Sequence, residues 1–478
     1  MKKYILLLVV LLPLIAHAQS VEAYFEKIRN NKAELIAFFS QMPKGGDLHH
    51  HYSGSVYAET YIADVFSKNY FINTGTLQVL KQPPANADKK LWKQFSAIKD
   101  SGLIESYKQK LLQKWSVKDY NGISYPSDKQ FFETFGGFGL ASWETQSEGL
   151  VELKNRAKKE NVSYIETMFT TISCDPLKTI DTSYDHLLEQ AQNNKDEAAT
   201  TKLLDALYRL ANEKGAKACA DNFNNYVADL HNTLHIDDSS FTMRYQNYVV
   251  RTMQPLAVFR NLVVAFMSAD ASKLIVGVNI VAPENNDTSM RDYWLHMQMF
   301  KYCHAKFPNV KYSMHAGELV LGMVQPEELT WHISEAVRIA GANRIGHGVD
   351  LPYEYKPYQL LQYMAEHKTA IEINLYSNEF ILKVKDSEHP LKLYKDFGVP
   401  IVICTDDAGV LRSNLIHQYV LLAMRYKFIH YADIKHFVYN SIQYSFIEEP
   451  EVKAYLKQKL DKDFDRFEKQ VLAVNVNN

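Results

Sequence analysis

Four short segments of the chain carry residues whose types and spacing suit metal-assisted hydrolysis. They are Asp47-Leu48-His49-His50-His51, Met314-His315-Ala316-Gly317-Glu318, Arg344-Ile345-Gly346-His347-Gly348 and Cys404-Thr405-Asp406-Asp407. Each follows or ends a short apolar run. Together they offer three or four imidazoles, one carboxylate ligand and two further carboxylates, enough to hold a cation that activates water and to move the protons. On a strand, His49 and His51 point the same way and His50 points to the opposite face. A lone His-x-His is weak in a chain with 17 histidines, where a polar loop cluster is the plainer reading. Glu318 follows His315 by three residues and could instead be a helix-cap acid. His347 sits between two glycines, which allow backbone to approach a ligand closely; a hydrogen-bonded structural histidine is the alternative. Adjacent carboxylates such as Asp406 and Asp407 repel unless a cation or a proton separates their roles, a solvated acidic turn being the simpler account. Cys303-His304 also looks like a ligand pair, but lies on an expected helix, where packing explains it better.

Eight apolar or β-branched runs would position these residues: Gly46–His51, Val162–Thr170, Tyr245–Thr252, Leu274–Val281, Val310–His315, Arg344–Val349, Thr369–Asn374 and Pro400–Thr405. Several are nearly continuous, as buried parallel strands are. Helical periodicity falls between the later runs, at Met290–Lys306, Pro326–Ala340 and Tyr355–Lys368. The middle segment opens on proline and stops at Gly341. Eight strands alternating with helices predict an α/β fold, a (β/α)8 barrel whose strand C-termini face the active site. At 478 residues the chain exceeds a plain barrel of roughly 250. Residues 55–160 and 171–244 are therefore read as helical insertions, 19–42 as an N-terminal helical extension, 43–460 as the barrel and 461–478 as a charged C-terminal tail.

The composition is that of an ordinary globular protein, 46% hydrophobic and 23% charged. The formal net charge is −2 and there is no basic block, so nucleic-acid binding has no electrostatic support. Residues 1–18 read as a cleavable signal peptide: Lys2 and Lys3, an apolar run from Ile5 to Ile15, then Ala16-His17-Ala18. The run is too short to span a bilayer, so the mature protein is expected in a periplasm or outside the cell, free of membrane. Disulfides are permitted there. Cys174 and Cys219 share one insertion and could pair, while Cys404 reads as a buried thiol.

Taken together, the four motifs resemble those of the adenosine deaminase branch of the metal-dependent amidohydrolases. The resemblance covers about Pro43 to Phe446, including Asn440-Ser441-Ile442. The Met42-Pro43-Lys44-Gly45 lead-in, the extension and the signal look like the secreted adenosine-deaminase-related growth factor subgroup. The resemblance implies one zinc ion per chain held by His49, His51, His315 and Asp406, with a purine nucleoside as the small-molecule partner. It implies that Glu318 donates a proton to purine N1, that His347 orients the attacking water and takes its proton, and that Asp407 binds N7. The products would be inosine and ammonia. For its role Glu318 must be protonated, so burial should raise its pKa.

The chain departs from the family pattern where the substrate sits. Ser53 stands where many members carry an acid for the ribose 5′-hydroxyl. Ala282 stands where a glycine usually offers its backbone N–H to purine N3. Asn374-Leu375 replaces a Cys-Pro pair, and Ala408 follows Asp407 in place of proline. Another 6-aminopurine thus stays open as substrate; AMP is disfavoured because no basic cluster accompanies the motifs. A non-catalytic, growth-factor-like binding protein on the same fold has no need of Glu318, His347 and Asp407 together. Ester or amide hydrolysis, or two metals, is a third alternative, but no lysine ends the Leu274–Val281 run to bridge a metal pair. Phe131, Phe132, Phe135 and Phe138 precede the second strand and could close over the purine or simply pack a helix. Trp92, Phe95 and Trp115 could shape a lid, a homodimer contact or an ordinary helix interface.

Overall fold

The computed structural model describes residues 21–123 and 125–476, so the signal-peptide reading of residues 1–18 lies outside the described residues. Eight parallel strands form the core: β1 (Gly46–His51), β2 (Tyr164–Thr170), β3 (Thr242–Val250), β4 (Ile275–Val281), β5 (Lys311–Ala316), β6 (Arg344–His347), β7 (Ala370–Ile373) and β8 (Ile401–Ile403). They follow one another in sequence order around the sheet. All eight fall on the runs expected to form them, with ends displaced by at most three residues. Strand burial is nearly complete on both faces, as helices outside and side chains inside a barrel require. The seam between β1 and β8 is joined by a parallel bridge at His50 and Asp406. There the Asp406 N–H donates to the His49 carbonyl at 2.9 Å and the His51 N–H to the Asp406 carbonyl at 3.3 Å. The architecture is a (β/α)8 barrel.

Helices cover the barrel where periodicity expects them, at Tyr293–Lys306 and Pro357–Glu366. The segment 326–340 is less regular than a single helix: a 3-10 turn over Pro326–Thr330, an α-turn over His332–Glu335 and a π-turn over Ala336–Ala340, stopped by Gly341 at φ +81°. Glycine takes that left-handed value at no steric cost.

The first insertion holds helices Ala58–Ser67, Ile104–Lys114 and Ser127–Glu144. It also holds a three-stranded antiparallel sheet built from Phe71–Asn73, Val79–Leu80 and Trp92–Gln94. The second holds Ser183–Asn194, Glu197–Glu213 and Ala216–Thr233, and Cys174 is disulfide-bonded to Cys219 across it. Cys303 and Cys404 are buried free thiols. The N-terminal extension is docked rather than loose: Phe38 meets Phe467 of the helix Pro450–Val476 edge-on at 5.0 Å, and Phe39 stacks on Tyr419 at 5.7 Å. Helix Pro450–Val476 runs without a break through residue 461. No helix among the described residues is long and apolar enough to cross a membrane.

Candidate active site

The ends of β1, β5, β6 and β8 bring all four motifs to one mouth of the barrel. One ring or carboxylate atom each from His49, His51, His315 and Asp406 lies within 4.8 Å of the other three. Asp406 Oδ1 is 3.4 Å from His49 Nε2 and 3.2 Å from His51 Nε2, and the His51 and His315 Nε2 atoms are 3.1 Å apart. His50 points away, as alternation requires, and bonds Thr167 at 3.0 Å.

The far nitrogens of two of these rings are held by partners that leave the near nitrogens bare. His49 Nδ1 meets Glu372 Oε2 at 2.7 Å, and His315 Nδ1 meets Asn279 Oδ1 at 3.0 Å. With the proton fixed on Nδ1, Nε2 presents its lone pair inward, the arrangement typical of metal-ligating histidines. Asn279 Oδ1 also accepts from the Ile280 N–H, so it must receive rather than offer a proton at His315. His49 Nε2 is buried without a hydrogen-bond partner. Burial should lower the His49 pKa, but the Asp406 and Glu372 carboxylates carry it up to about 10. Burial holds His315 well below its ordinary value, with further lowering from the neighbouring imidazoles. The carboxylates around His49 thus call for positive charge at this centre, which a cation on Nε2 would meet in place of a proton, while burial keeps His315 toward its neutral form. Three Nε2 atoms and one carboxylate oxygen are a donor set that suits zinc.

Beside this cluster stand the proton-handling candidates. His347 Nε2 is 3.8 Å from Glu318 Oε1 and 3.9 Å from Asp406 Oδ2, and its Nδ1 meets Asn378 Oδ1 at 2.9 Å. Burial raises the Glu318 carboxyl to about 7, with the Asp406 charge adding to the rise. Burial, and then the adjacent Asp406 carboxylate, drives Asp407 well above the carboxylate range, whereas Asp406 is held well below it, against burial, by its histidine partners. Neighbouring carboxyls in opposite protonation states are what separate roles demand. His347 at φ +69°, Asp406 at +63° and Ala282 at +85° all occupy the left-handed region, which is uncommon for non-glycine residues.

These groups open into a cavity of about 320 Å³, also lined by Ser53, Ala282, Tyr248 and the rings of Phe131, Phe132 and Phe135. Phe138 instead stacks on Tyr61 at 5.4 Å and belongs to the helix interior. Trp115 is also buried packing, against the helix position of Gly137. The glycines flanking His347 make room for side chains rather than for a ligand. A Cβ on Gly346 would come within 2.5 Å of the His49 ring, and one on Gly348 would meet the Tyr394 hydroxyl. Gly54, unremarked in the sequence, clears the space occupied by Asp407.

A further residue missed by sequence reading is Glu284, three positions beyond β4. Its buried carboxylate accepts from Gly317 N at 3.1 Å, Glu318 N at 2.8 Å and His332 Nδ1 at 2.6 Å. Burial opposes its charge, but His332 and then Arg251 hold its pKa down. It thereby ties the loop after β4, which carries Ala282, to the loop that carries Glu318.

The adenosine deaminase family model matches residues 151–463. The chain belongs to the adenosine deaminase family. The matched span includes His315, Glu318, His347, Asp406 and Asp407; His49, His51 and Ser53 lie before it and join the site through the fold. An adenosine deaminase from Clostridium acetobutylicum is 33% identical over 168 residues, 35% of this chain and 46% of the relative. The chain thus spans less than half the length of the curated relatives it matches, 46%, 39% and 41% of the three. The fold is similar to that of an N6-methyl-AMP deaminase from Arabidopsis thaliana (TM-score 0.54, 16% identity, 89% of this chain and 98% of that one). It is also similar to that of an amidohydrolase from Burkholderia ambifaria with bound zinc (TM-score 0.52, 17% identity, 92% of this chain and 94% of that one).

Proposed function

We propose that the protein is a zinc-dependent aminohydrolase of 6-aminopurine nucleosides, converting adenosine or 2′-deoxyadenosine and water to inosine or 2′-deoxyinosine and ammonia. The observation that carries this reading is the pair of carboxyls held toward their neutral forms, Glu318 and Asp407, opening into one cavity beside the three-imidazole, one-carboxylate cluster. A purine presents lone pairs at N1 and N7 on either side of its 6-amino group, so two protonated carboxyls are matched donors. His49, His51, His315 and Asp406 would hold the ion, one per chain. When bound there, zinc supplies Lewis acidity that makes water nucleophilic near neutral pH.

The chain's own groups do the rest. Glu318 donates its proton to N1 and draws electron density from C6. Asp407 donates to N7 and fixes the ring. His347 takes the proton released by water as its oxygen adds to C6, then returns it to the departing amine. As ammonia leaves, the proton on the added oxygen passes to the Glu318 carboxylate and restores its acid, and the C6 oxo group remains beside the proton kept at N1. Phe131, Phe132 and Phe135 give the base an apolar wall.

Among the described residues, no lysine or arginine lines the cavity, which leaves a 5′-phosphate without a counter-charge and favours nucleosides over AMP. Ser53 lies in the same cavity and carries no charge for a ribose hydroxyl, so deamination of another 6-aminopurine is the second reading. The docked extension and the Cys174–Cys219 disulfide support placing the protein in the secreted growth-factor-like subgroup and in an oxidising compartment. The deciding experiment follows ultraviolet absorbance and ammonia release with adenosine, 2′-deoxyadenosine, adenine and AMP on zinc-loaded protein. Turnover of the two nucleosides is expected. Silence on all four with one zinc bound per chain would overturn the proposal.

A further inference from the structure

At the opposite mouth of the barrel, where the strands begin, lies a second cavity of about 350 Å³. Its charged lining is of one sign. Lys311 opens β5, Arg344 opens β6, Lys368 precedes β7, Lys453 reaches in from helix Pro450–Val476, and among the described residues no aspartate or glutamate lines it. Among the described residues, none of the three lysines has a carboxylate partner within ion-pair distance, in a protein where many other lysines do. Lys453 Nζ donates to the carbonyls of Gln443 at 3.2 Å and Ser445 at 3.0 Å. Burial lowers its pKa, and the Lys311 and Arg344 charges lower it further.

Arg344 is the buried cation of the set. It stacks on Phe446 with its guanidinium carbon 3.6 Å from the ring centre, and Nη1 donates to the Tyr444 carbonyl at 2.9 Å. On the barrel side Nη2 pairs with Glu166 and Nε with Glu372, each at 2.5 Å. Those two acids neutralise Arg344 from within, so the net positive charge of the cavity rests on Lys311, Lys368 and Lys453, which have no carboxylate partner among the described residues. A concave, single-sign pocket with low-dielectric walls concentrates field lines and local counter-ions. The two surface lysines and Lys453 supply ammonium donors as point charges, and the Tyr363, Phe446 and backbone lining limits the occupant to a compact group.

We propose that this barrel-floor cavity is a binding site for a small multivalent oxyanion, a phosphate group in free or monoester form, separate from the site at the other mouth and independent of the reaction carried out there. The test is isothermal titration of the full-length mature protein with inorganic pyrophosphate at constant ionic strength, with AMP as a second probe. One saturable site per chain is expected for the wild type. The Lys311→Ala/Lys368→Ala double variant, both changes lying at partly or fully exposed positions, should bind about tenfold or more weakly, the equivalent of ~1.4 kcal/mol or more. The charge-retaining Lys311→Arg/Lys368→Arg variant should restore binding, and circular dichroism of the double variant should match the wild type. AMP binding that depends on the same two lysines and exceeds that of pyrophosphate supports the site and makes a phosphate monoester its ligand. No saturable pyrophosphate or AMP binding by the wild type, or equal affinity in the alanine double variant, would overturn the proposal.

Discussion

Replacing Glu284 by Gln tests whether the strut between two active-site loops matters more than its distance from the chemistry suggests. The carboxylate receives Gly317 N and His332 Nδ1 on Oε1 and Glu318 N on Oε2, with Arg251 3.8 Å away. A glutamine has one accepting oxygen. Turned one way, its amide nitrogen faces the Gly317 N–H and the His332 ring; turned the other, it faces the Glu318 N–H. Either way at least one buried donor is orphaned, at about 1–3 kcal/mol, and the charge facing Arg251 disappears as well. We expect a stability loss of about 2–4 kcal/mol by urea denaturation, since orphaned buried donors and an uncompensated cation add. Displacement of the Glu318 loop by a fraction of an ångström should lower kcat about tenfold to a hundredfold with a smaller change in KM, because positioning and not uniform binding is lost. A Glu284→Gln protein with the wild-type urea midpoint and wild-type kcat would refute the argument.

Glu318→Gln should lower kcat by about 10²- to 10⁴-fold with zinc content unchanged, as removal of a proton donor does. Because the buried Glu318 carboxyl is raised to about 7, it is protonated below that pH; activity limited by this donor should therefore fall as pH rises through about 7, and a profile flat from pH 6 to 8 would count against the role. In denaturant, thiol titration of unreduced protein should find two free thiols, Cys303 and Cys404, and four after reduction. Opening the 45-residue Cys174–Cys219 loop should cost about 4 kcal/mol on the chain-entropy account. Ala282→Gly should be neutral or slightly stabilising by thermal melt. Relief of about 1–2 kcal/mol of left-handed strain offsets the ~0.4–1 kcal/mol that glycine costs through the unfolded state. A loss beyond about 1 kcal/mol would show that φ +85° is unstrained there.

The barrel was legible because its strands are long-range partners with a local signature: buried on both faces, each reads as an apolar run on its own. The ligand candidates were legible for a related reason, since strand ends such as His315 and Asp406 interrupt those runs with polar residues. What escaped reading depends on neighbours distant in the chain. Glu372 and Asn279 sit inside apolar runs, and nothing local says that one meets His49 and the other His315. Glu284 looks like any loop acid until the β5 loop is laid against it. The strands between 71 and 94, two or three residues each, are too short to show a period. The irregular helix over 326–340 has helical spacing on its apolar face, while its hydrogen-bond pattern changes class twice along its length. Whether Cys174 and Cys219 pair is a question of distance, 5.6 Å between Cα atoms, that helix packing in the insertion decides.

The seam between the first and last strands has one further consequence. Beside the Asp47–Thr405 hydrogen bonds, the backbone contacts that join β1 to the end of β8 run through His49, His51 and Asp406, so the main-chain join and the ligand cluster share the same residues. During synthesis β1 emerges early and Asp406 only after most of the chain has been made. No partial product can assemble the cluster, and any ion captured by the finished chain acts as a latch across the last edge to close. Such an ion, binding the native state alone, adds its own binding free energy to the fold. Metal occupancy in this protein is then a report on completed folding as much as on readiness for catalysis.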